Sequence, residues 1–339
     1  MFMTNPNNLG VLIVGAGISG LTLARRLSNA GEIVTLFEKS KGVGGRLATR
    51  RGSGLLWDHG TQSLNPKDLP WETWIDWERL KILIPRKDGR DINLICPEGM
   101  TQLPKALAIG ITVHRNSHIK MIRVGPGGKV WMIGDDAGGW HYGNRLVLAI
   151  PAPQALLLLD GSFPSQLVSL KDRLREICYR PTLTVLATLS RKQKIDKMIK
   201  KVVPIESLTE NGEKGMKDSL GALTIHLNEK YSLKHFDSPE EEVLTEIKQI
   251  VKKKMGLDIL NLVLKRWRYS QVTHPLQEPF LAAKLTSPLY VMGDGFSGGG
   301  IKGALHSANS LASELIKSLT KEEGQNGKAK KGGEAHSFK

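Results

Sequence analysis

At 339 residues, with 40% hydrophobic and 24% charged side chains, the chain is long enough for roughly two domains and has the make-up of a folded globular protein. The only early apolar run, Leu9 to Leu23, is broken by Gly15, Gly17 and Gly20 and has no basic stretch before it, so neither a signal peptide nor a transmembrane segment is expected and the location is read as cytoplasmic. The formal charge of +15 gathers at Arg191 to Lys201, Lys252 to Lys254 and Lys328 to Lys331 without interleaved aromatics, which argues for solvated basic faces and no nucleic-acid partner.

Gly10 to Val14 reads as a buried strand, Ile18 to Ala30 as a helix and Glu32 to Glu38 as a second strand, which together open a βαβ unit. Thr112 to Val113, His118 to Val124 and Val130 to Gly134 are short and separated by turn residues such as Pro126-Gly127-Gly128, so an antiparallel meander is expected there. Leu146 to Ile150 is a wholly apolar strand that stops at Pro151-Ala152-Pro153. Helices and alternating strands follow, then a strand at Leu289 to Met292 and a helix from about Gly300 to Leu319. The tail from Thr320, rich in Lys, Gly and Glu, is expected to be disordered. The fold class is therefore α/β: a Rossmann-like, two-dinucleotide-binding domain with a second α+β substrate domain. The nucleotide-binding domain takes residues 9–60, 97–150 and 286–319, and the substrate domain 61–96 and 151–285.

Gly15-Ala16-Gly17-Ile18-Ser19-Gly20 lies between a strand and a helix, the setting in which a GxGxxG pattern holds a pyrophosphate on the helix N-terminus. Glu38 follows at the end of the next strand, where a carboxylate accepts from a ribose diol and repels a 2′-phosphate. Lys41-Gly42-Val43-Gly44-Gly45-Arg46 adds a second flexible segment ending in a cation suited to phosphate. Far along the chain, Gly293-Asp294-Gly295 and Gly298-Gly299-Gly300 sit between a strand and a helix, a second clasp that FAD needs and NAD does not. Asp294 is placed to hold ribityl hydroxyls.

With these motifs the chain resembles the renalase-like branch of the FAD-dependent amine oxidases. The resemblance rests on VLIVGAGISGL (11–21), GGRLATR (44–50), DHGTQ (58–62), PEGMTQLPKALA (97–108), LAIPAPQAL (148–156), RWRYSQV (266–272) and GDGFSGGGIKGALHSA (293–308). It implies Glu38 at the adenosine ribose, Arg46 at the pyrophosphate and Gly60, Thr61 and Gln62 near the isoalloxazine. It further implies Ile119 at the adenine through its backbone, and Asp294 and Ile301 at the ribityl and pyrimidine end. The full cofactor set is Gly15, Gly17, Ile18, Ser19, Gly20, Glu38, Lys39, Gly45, Arg46, Gly60, Thr61, Gln62, Ile119, Gly293, Asp294, Gly300 and Ile301. The chain departs from the family at two positions: Tyr231 stands where tryptophan is common, and Ser63 where an aromatic is common, the latter changing the flavin-side pocket.

His226 on an alternating strand is either a group that orients a reductant or a core histidine, and Trp267 and Tyr269 share a strand face that is either an aromatic wall or packing. These three form the catalytic set. Trp71, Trp74 and Trp77 read as a core stripe on a helix. His114 and His118 span a turn instead of a helix face, so no metal site is expected. Cys96 and Cys178 read as buried thiols without a CxxC pair, and non-covalent FAD is expected. The resulting function is an FAD-dependent oxidoreductase that accepts a hydride from a small reductant, an NAD(P)H-like dihydronicotinamide or an amine. Molecular oxygen or an unknown acceptor reoxidises the flavin. The alternatives are a desaturase or isomerase of an apolar substrate, and a regulatory protein that holds FAD without turnover.

Overall fold

The computed structural model describes residues 9–69, 81–88, 91–160, 167–191, 195 and 202–333. In chain order the first half contains β1 (Val11–Val14), α1 (Ile18–Asn29), β2 (Val34–Glu38), β3 (Thr49–Gly52), β4 (Leu55–Asp58), β5 (Ile84–Asp88) and β6 (Asp91–Ile95). Next come α2 (Gln102–Leu107), β7 (Thr112–Arg115), β8 (Ile119–Val124), β9 (Trp131–Asp135), β10 (Trp140–Gly143), β11 (Arg145–Leu148), α3 (Ala152–Asp160) and α4 (Val168–Arg175). The second half holds β12 (Cys178–Leu189), β13 (Ile205–Glu210), β14 (Ala222–Leu227), α5 (Glu229–Lys234), α6 (Glu240–Met255), β15 (Ile259–His274), β16 (Leu281–Ala283), β17 (Leu289–Val291) and α7 (Gly300–Gly333).

A six-stranded sheet in the order β16-β17-β11-β1-β2-β7 forms the nucleotide side, parallel except at β16. Its central strand β1 is buried along its whole length, as a parallel strand covered on both faces must be. One face is covered by α1 and α7, whose Leu21, Leu305 and Leu311 share a core with Val11 and Ile13. Arg26 of α1 ties the pair by donating to the Asn309 side chain at 3.0 Å. The other face packs on β8 and β9 through Ile119, Ile122, Trp131 and Ile133.

The second layer is an antiparallel sheet, β13-β14-β12-β15. One of its faces is apolar: Leu183, Val185, Leu223, Ile225 and Leu264 pack against Val243, Ile247 and Val251 of α6. Helix α6 has the acids Glu240, Glu241 and Glu242 in its first turn and Lys252, Lys253 and Lys254 in its last, charges that match the helix dipole at both ends. Gly256, with φ of 63°, closes it in the left-handed region.

Three expectations need correction. Thr112 and Val113 do not start the antiparallel meander: they lie in β7, which adds to β2 in parallel, and β8, β9 and β10 make the meander alone. A run of two to four residues carries no periodicity that separates a parallel edge strand from a meander strand. Cys178 is exposed because it begins β12 at the sheet's end, whereas Cys96 is buried. Helix α7 continues past Leu319 to Gly333: of the Lys, Gly and Glu that read as a disordered tail, Lys and Glu are also good helix formers. The Trp71, Trp74 and Trp77 stripe, and most of the basic run from Arg191 to Lys201, lie outside the described residues.

Candidate functional site

Two glycine-rich turns meet above the C-terminal ends of β1 and β17. Gly15 has a φ of 106°, and a Cβ on it would stand 2.5 Å from the Ala149 carbonyl oxygen. Gly20 packs so closely that its Cβ would come within 2.1 Å of the Gly15 oxygen. A Cβ on Gly17 would instead meet nothing within 4 Å, so the chain leaves open space at the start of α1. That helix begins with no side-chain cap and no acid in its first turn, and its N–H groups remain available to an anion. Ile18 and Ser19 form this first turn and are buried, and Ser19 Oγ approaches Gly293 of the second turn. There Gly298, Gly299 and Gly300 all have positive φ at the start of α7, and Cβ atoms on Gly298 and Gly300 would again meet nothing. Ile301 follows, half-buried against the core shared by α1 and α7.

Glu38 closes β2 with its carboxylate fixed: Oε2 accepts from the Ala16 N–H at 3.1 Å and Oε1 from the Ser40 N–H at 2.8 Å. The neighbouring Lys39 is exposed. The Ser117 N–H donates to the Glu38 carbonyl at 3.0 Å, which brings the start of β8, and with it buried Ile119, beside the end of β2. Gly44 and Gly45 bring the second segment against the first, Gly44 donating to the Ala16 carbonyl at 2.8 Å. Arg46 then reaches across to Asp294 in a two-pronged pair, both contacts 2.6 Å, and also donates to the Tyr269 and Ser270 carbonyls at 3.2 Å. Burial opposes the Arg46 charge, but Asp294 outweighs it and holds the guanidinium above its ordinary pKa.

The open glycine turns, the uncapped start of α1 and the fixed acid at the end of β2 fit an elongated dianionic diphosphate with a ribose at one end. Two buried polar atoms without partners, His59 Nδ1 and Gln62 Oε1, lie in the 58–62 segment. That segment is anchored to the cofactor side through Thr61, whose N–H donates to the Arg46 carbonyl at 2.9 Å. Gly60 is required there, since a Cβ would stand 1.9 Å from the same oxygen.

Asp58 fixes the other end of this segment. Its fully buried carboxylate is paired with buried Lys214 and accepts from Thr49 Oγ1 at 2.5 Å and the Met100 N–H at 2.8 Å. Its carbonyl accepts from Thr224 Oγ1 at 2.8 Å and Gln62 Nε2 at 2.6 Å. Burial lowers the Lys214 pKa, and Asp58 pulls it back up. The nearby Cys96 thiol is pushed up to about 12, by burial first and by Asp58 second.

The face of the antiparallel sheet opposite α6 carries the polar residues. Register places Ser207, His226, Thr184 and Lys265 in one row across β13, β14, β12 and β15, with Trp267 two residues along from Lys265 on the same face. Ser207 Oγ lies 3.1 Å from His226 Nδ1. The Trp267 indole donates to the His59 carbonyl at 2.9 Å and its ring stacks on the His59 imidazole with centroids 5.3 Å apart. Burial lowers the His226 pKa against the opposing pull of the His59 and Gly60 carbonyls. His59 is lowered to about 4, by burial first and then by Lys265 and Arg50.

His226 and Trp267 are therefore brought together around the 58–62 segment, but Tyr269 is not. It packs edge-to-face on Tyr179 at 5.8 Å, beside the Arg46–Asp294 pair. Reading the sequence singled out neither His59, Lys265 nor Tyr179. His59 sat inside the DHGTQ motif, and Lys265 has the strand parity of Trp267; those were the signals available. His114 and His118 hold no common ligand position: His114 stacks on Phe37 at 5.1 Å. Among the described residues no group of three or more His, Cys, Asp or Glu could hold a metal ion, and no helix is long and apolar enough to cross a membrane.

Comparison with known proteins agrees with this architecture. Residues 13–76 match an NAD(P)-binding Rossmann-like domain and residues 79–316 match the flavin containing amine oxidoreductase family. A 4,4'-diapophytoene desaturase of Staphylococcus aureus (strain bovine RF122 / ET3-1) is 27% identical over 107 residues, covering 29% of this chain and 21% of the relative. Protoporphyrinogen oxidase 2 of Arabidopsis thaliana is 44% identical over 54 residues, 16% of this chain and 11% of the relative. The matches thus span about a fifth or less of those curated relatives. In fold, the chain is similar to a putative protoporphyrinogen oxidase from Exiguobacterium sp. 255-15, with a TM-score of 0.69 at 13% identity over 91% of this chain and 98% of that one. Cyclohexylamine oxidase from Brevibacterium oxydans IH-35A gives a TM-score of 0.67 at 11% identity over 92% and 100%. The match over residues 79–316 settles the family: this chain belongs to the flavin containing amine oxidoreductases.

Proposed function

We propose that the protein accepts a hydride from a small, polar, planar reductant of the dihydronicotinamide or amine type, in the manner of the renalase-like branch, in the cytoplasm. The observation that carries this reading is the polar sheet face, where Ser207, His226, Thr184 and Lys265 form one row beside the His59–Trp267 stack and above the cofactor side. A substrate with hydrogen-bonding edges gains from such a face, whereas a hydrocarbon would strip water from it without return.

FAD, when bound, would supply a two-electron acceptor for the hydride of a substrate C–H bond, with molecular oxygen or another acceptor as the final oxidant. The chain's own residues bind and orient. The α1 N-terminus, Gly17, Gly45 and Arg46 would hold the diphosphate, Glu38 the adenosine ribose, Asp294 and the start of α7 the ribityl end, and Gly60 to Gln62 the ring. Trp267 and His59 offer flat surfaces to a planar substrate, and His226, neutral because burial disfavours its charge, sits between Ser207 and the His59 and Gly60 carbonyls and orients the substrate by holding the 58–62 segment in place. The 58–62 segment, fixed by the Asp58–Lys214 pair, excludes water from one side.

The similarity to a desaturase over 29% of the chain favours a second reading, oxidation of an apolar substrate. Anaerobic mixing separates the two. Dihydronicotinamides or amines should bleach the visible flavin absorbance within the mixing series, while polyenes and unsaturated fatty acids leave it unchanged. Bleaching by the apolar panel alone would replace the first reading with the second.

A further inference from the structure

The charge balance around the polar face points to a particular kind of substrate. The carboxylates nearest to it are held in ion pairs: Asp58 with Lys214, Asp294 with Arg46 at 2.6 Å, and Glu206, beside His226, with Arg180 at 2.9 Å, a cation that Glu229 shares at 3.8 Å. Lys265 is not matched. It lies half-buried in the same cross-strand row as Thr184 and His226, close enough to His59 to act on its charge, and forms no ion pair among the described residues. Beside it, Thr184 Oγ1 is fully buried and unpartnered, and so is His59 Nδ1. Arg50, on β3, adds a further positive charge near His59. The groups facing Lys265 are thus His226 from β14, Thr184 from β12, Trp267 from its own strand, and His59 from the 58–62 segment, none of them an acid.

An ammonium entering here finds no free carboxylate and meets a like charge in a partly desolvated setting, where Coulomb repulsion is several times stronger than in water. A carboxylate, or a carboxamide presenting its oxygen, finds an amine donor, a hydroxyl and an imidazole along one edge. Resting on the placement of the substrate against this face, we infer that Lys265 is a specificity-determining residue that selects reductants carrying an anionic or strongly accepting group on a flat ring and rejects alkylammonium substrates.

The test uses FAD-loaded enzyme and three redox-inert rings of similar size: nicotinate, nicotinamide and 3-(aminomethyl)pyridine. Binding is read by calorimetry and by perturbation of the flavin spectrum, so no electron transfer is needed. Nicotinate should bind tightest and 3-(aminomethyl)pyridine weakest, with the nicotinate affinity falling as salt is raised. Lys265→Met should weaken nicotinate by roughly tenfold or more, the scale of a charge-assisted hydrogen bond, while changing nicotinamide much less. Lys265→Arg should restore most of the loss, and Lys265→Glu should reverse the order of the charged probes. FAD content and Tm of each variant check that the sheet is intact. Equal affinity of the wild type for nicotinate and 3-(aminomethyl)pyridine, or an unchanged nicotinate affinity in a folded Lys265→Met enzyme, overturns the inference. Lys265-dependent nicotinate binding in an enzyme that no dihydronicotinamide or amine reduces upholds it, and removes the hydride reading instead.

Discussion

The cofactor side and the polar sheet face grip their ligands with different parts of the chain. Around Gly15, Gly20, Gly44 and Gly60 it is the backbone that is shaped: three of these four Cβ positions collide with main-chain oxygens, that of Gly44 with Pro104, and two have positive φ. On the sheet, the chemistry is carried by which side chains the register of β12, β14 and β15 brings together. The first kind of site tolerates almost no substitution at a few positions. The second should tolerate many changes in stability but few in selectivity.

The sharpest way to break this contrast is at Gly20. Gly20→Val places carbon against the Gly15 carbonyl and forces α1 away from β1, so no FAD should be retained after gel filtration. An FAD-replete Gly20→Val protein would show that the backbone is not what shapes the cofactor side. Next in size is the buried pair that joins the two regions. Asp58→Asn leaves the Lys214 charge buried and unpaired and should cost about 3–5 kcal/mol in denaturant unfolding. Adding Lys214→Met should recover part of that loss, which a simple cavity would not allow. A smaller effect is expected at Glu38: Glu38→Ala should weaken FAD binding by about 1–3 kcal/mol, measured by titration of apoprotein, with little change in Tm.

On the sheet face, His226→Ala should slow anaerobic flavin reduction by roughly a hundredfold or more, in the range of a lost proton-handling group, while FAD affinity holds. Reduction at the parental rate would make His226 a packing residue. The smallest signal is in pH. His59 changes from an unfolded pKa of 6.5 to about 4 in the fold, so the unfolded chain binds more protons between those values. Stability should be fully present above pH 6.5 and decline as pH falls toward 4; His59→Gln should flatten that part of the profile in thermal melts.

Reading the sequence determined the βαβ opening, the GxGxxG turn, Glu38 and the second glycine turn at 293–300, and with them the cofactor. Those features are local: a positive φ or a close approach admits only glycine, and strand, turn and helix follow one another within about thirty residues. His226 and Trp267 were visible as side chains with the right strand parity, but parity alone separated neither an orienting group from a core histidine nor an aromatic wall from packing. Only the tertiary structure put β12 between β14 and β15, and so put Thr184 between His226 and Lys265. Only it turned Tyr269 away toward Tyr179 and set β7 in the parallel sheet. Each of these depends on pairing between strands far apart in the chain, where register decides what touches what, and a spacing within one segment carries no record of that register.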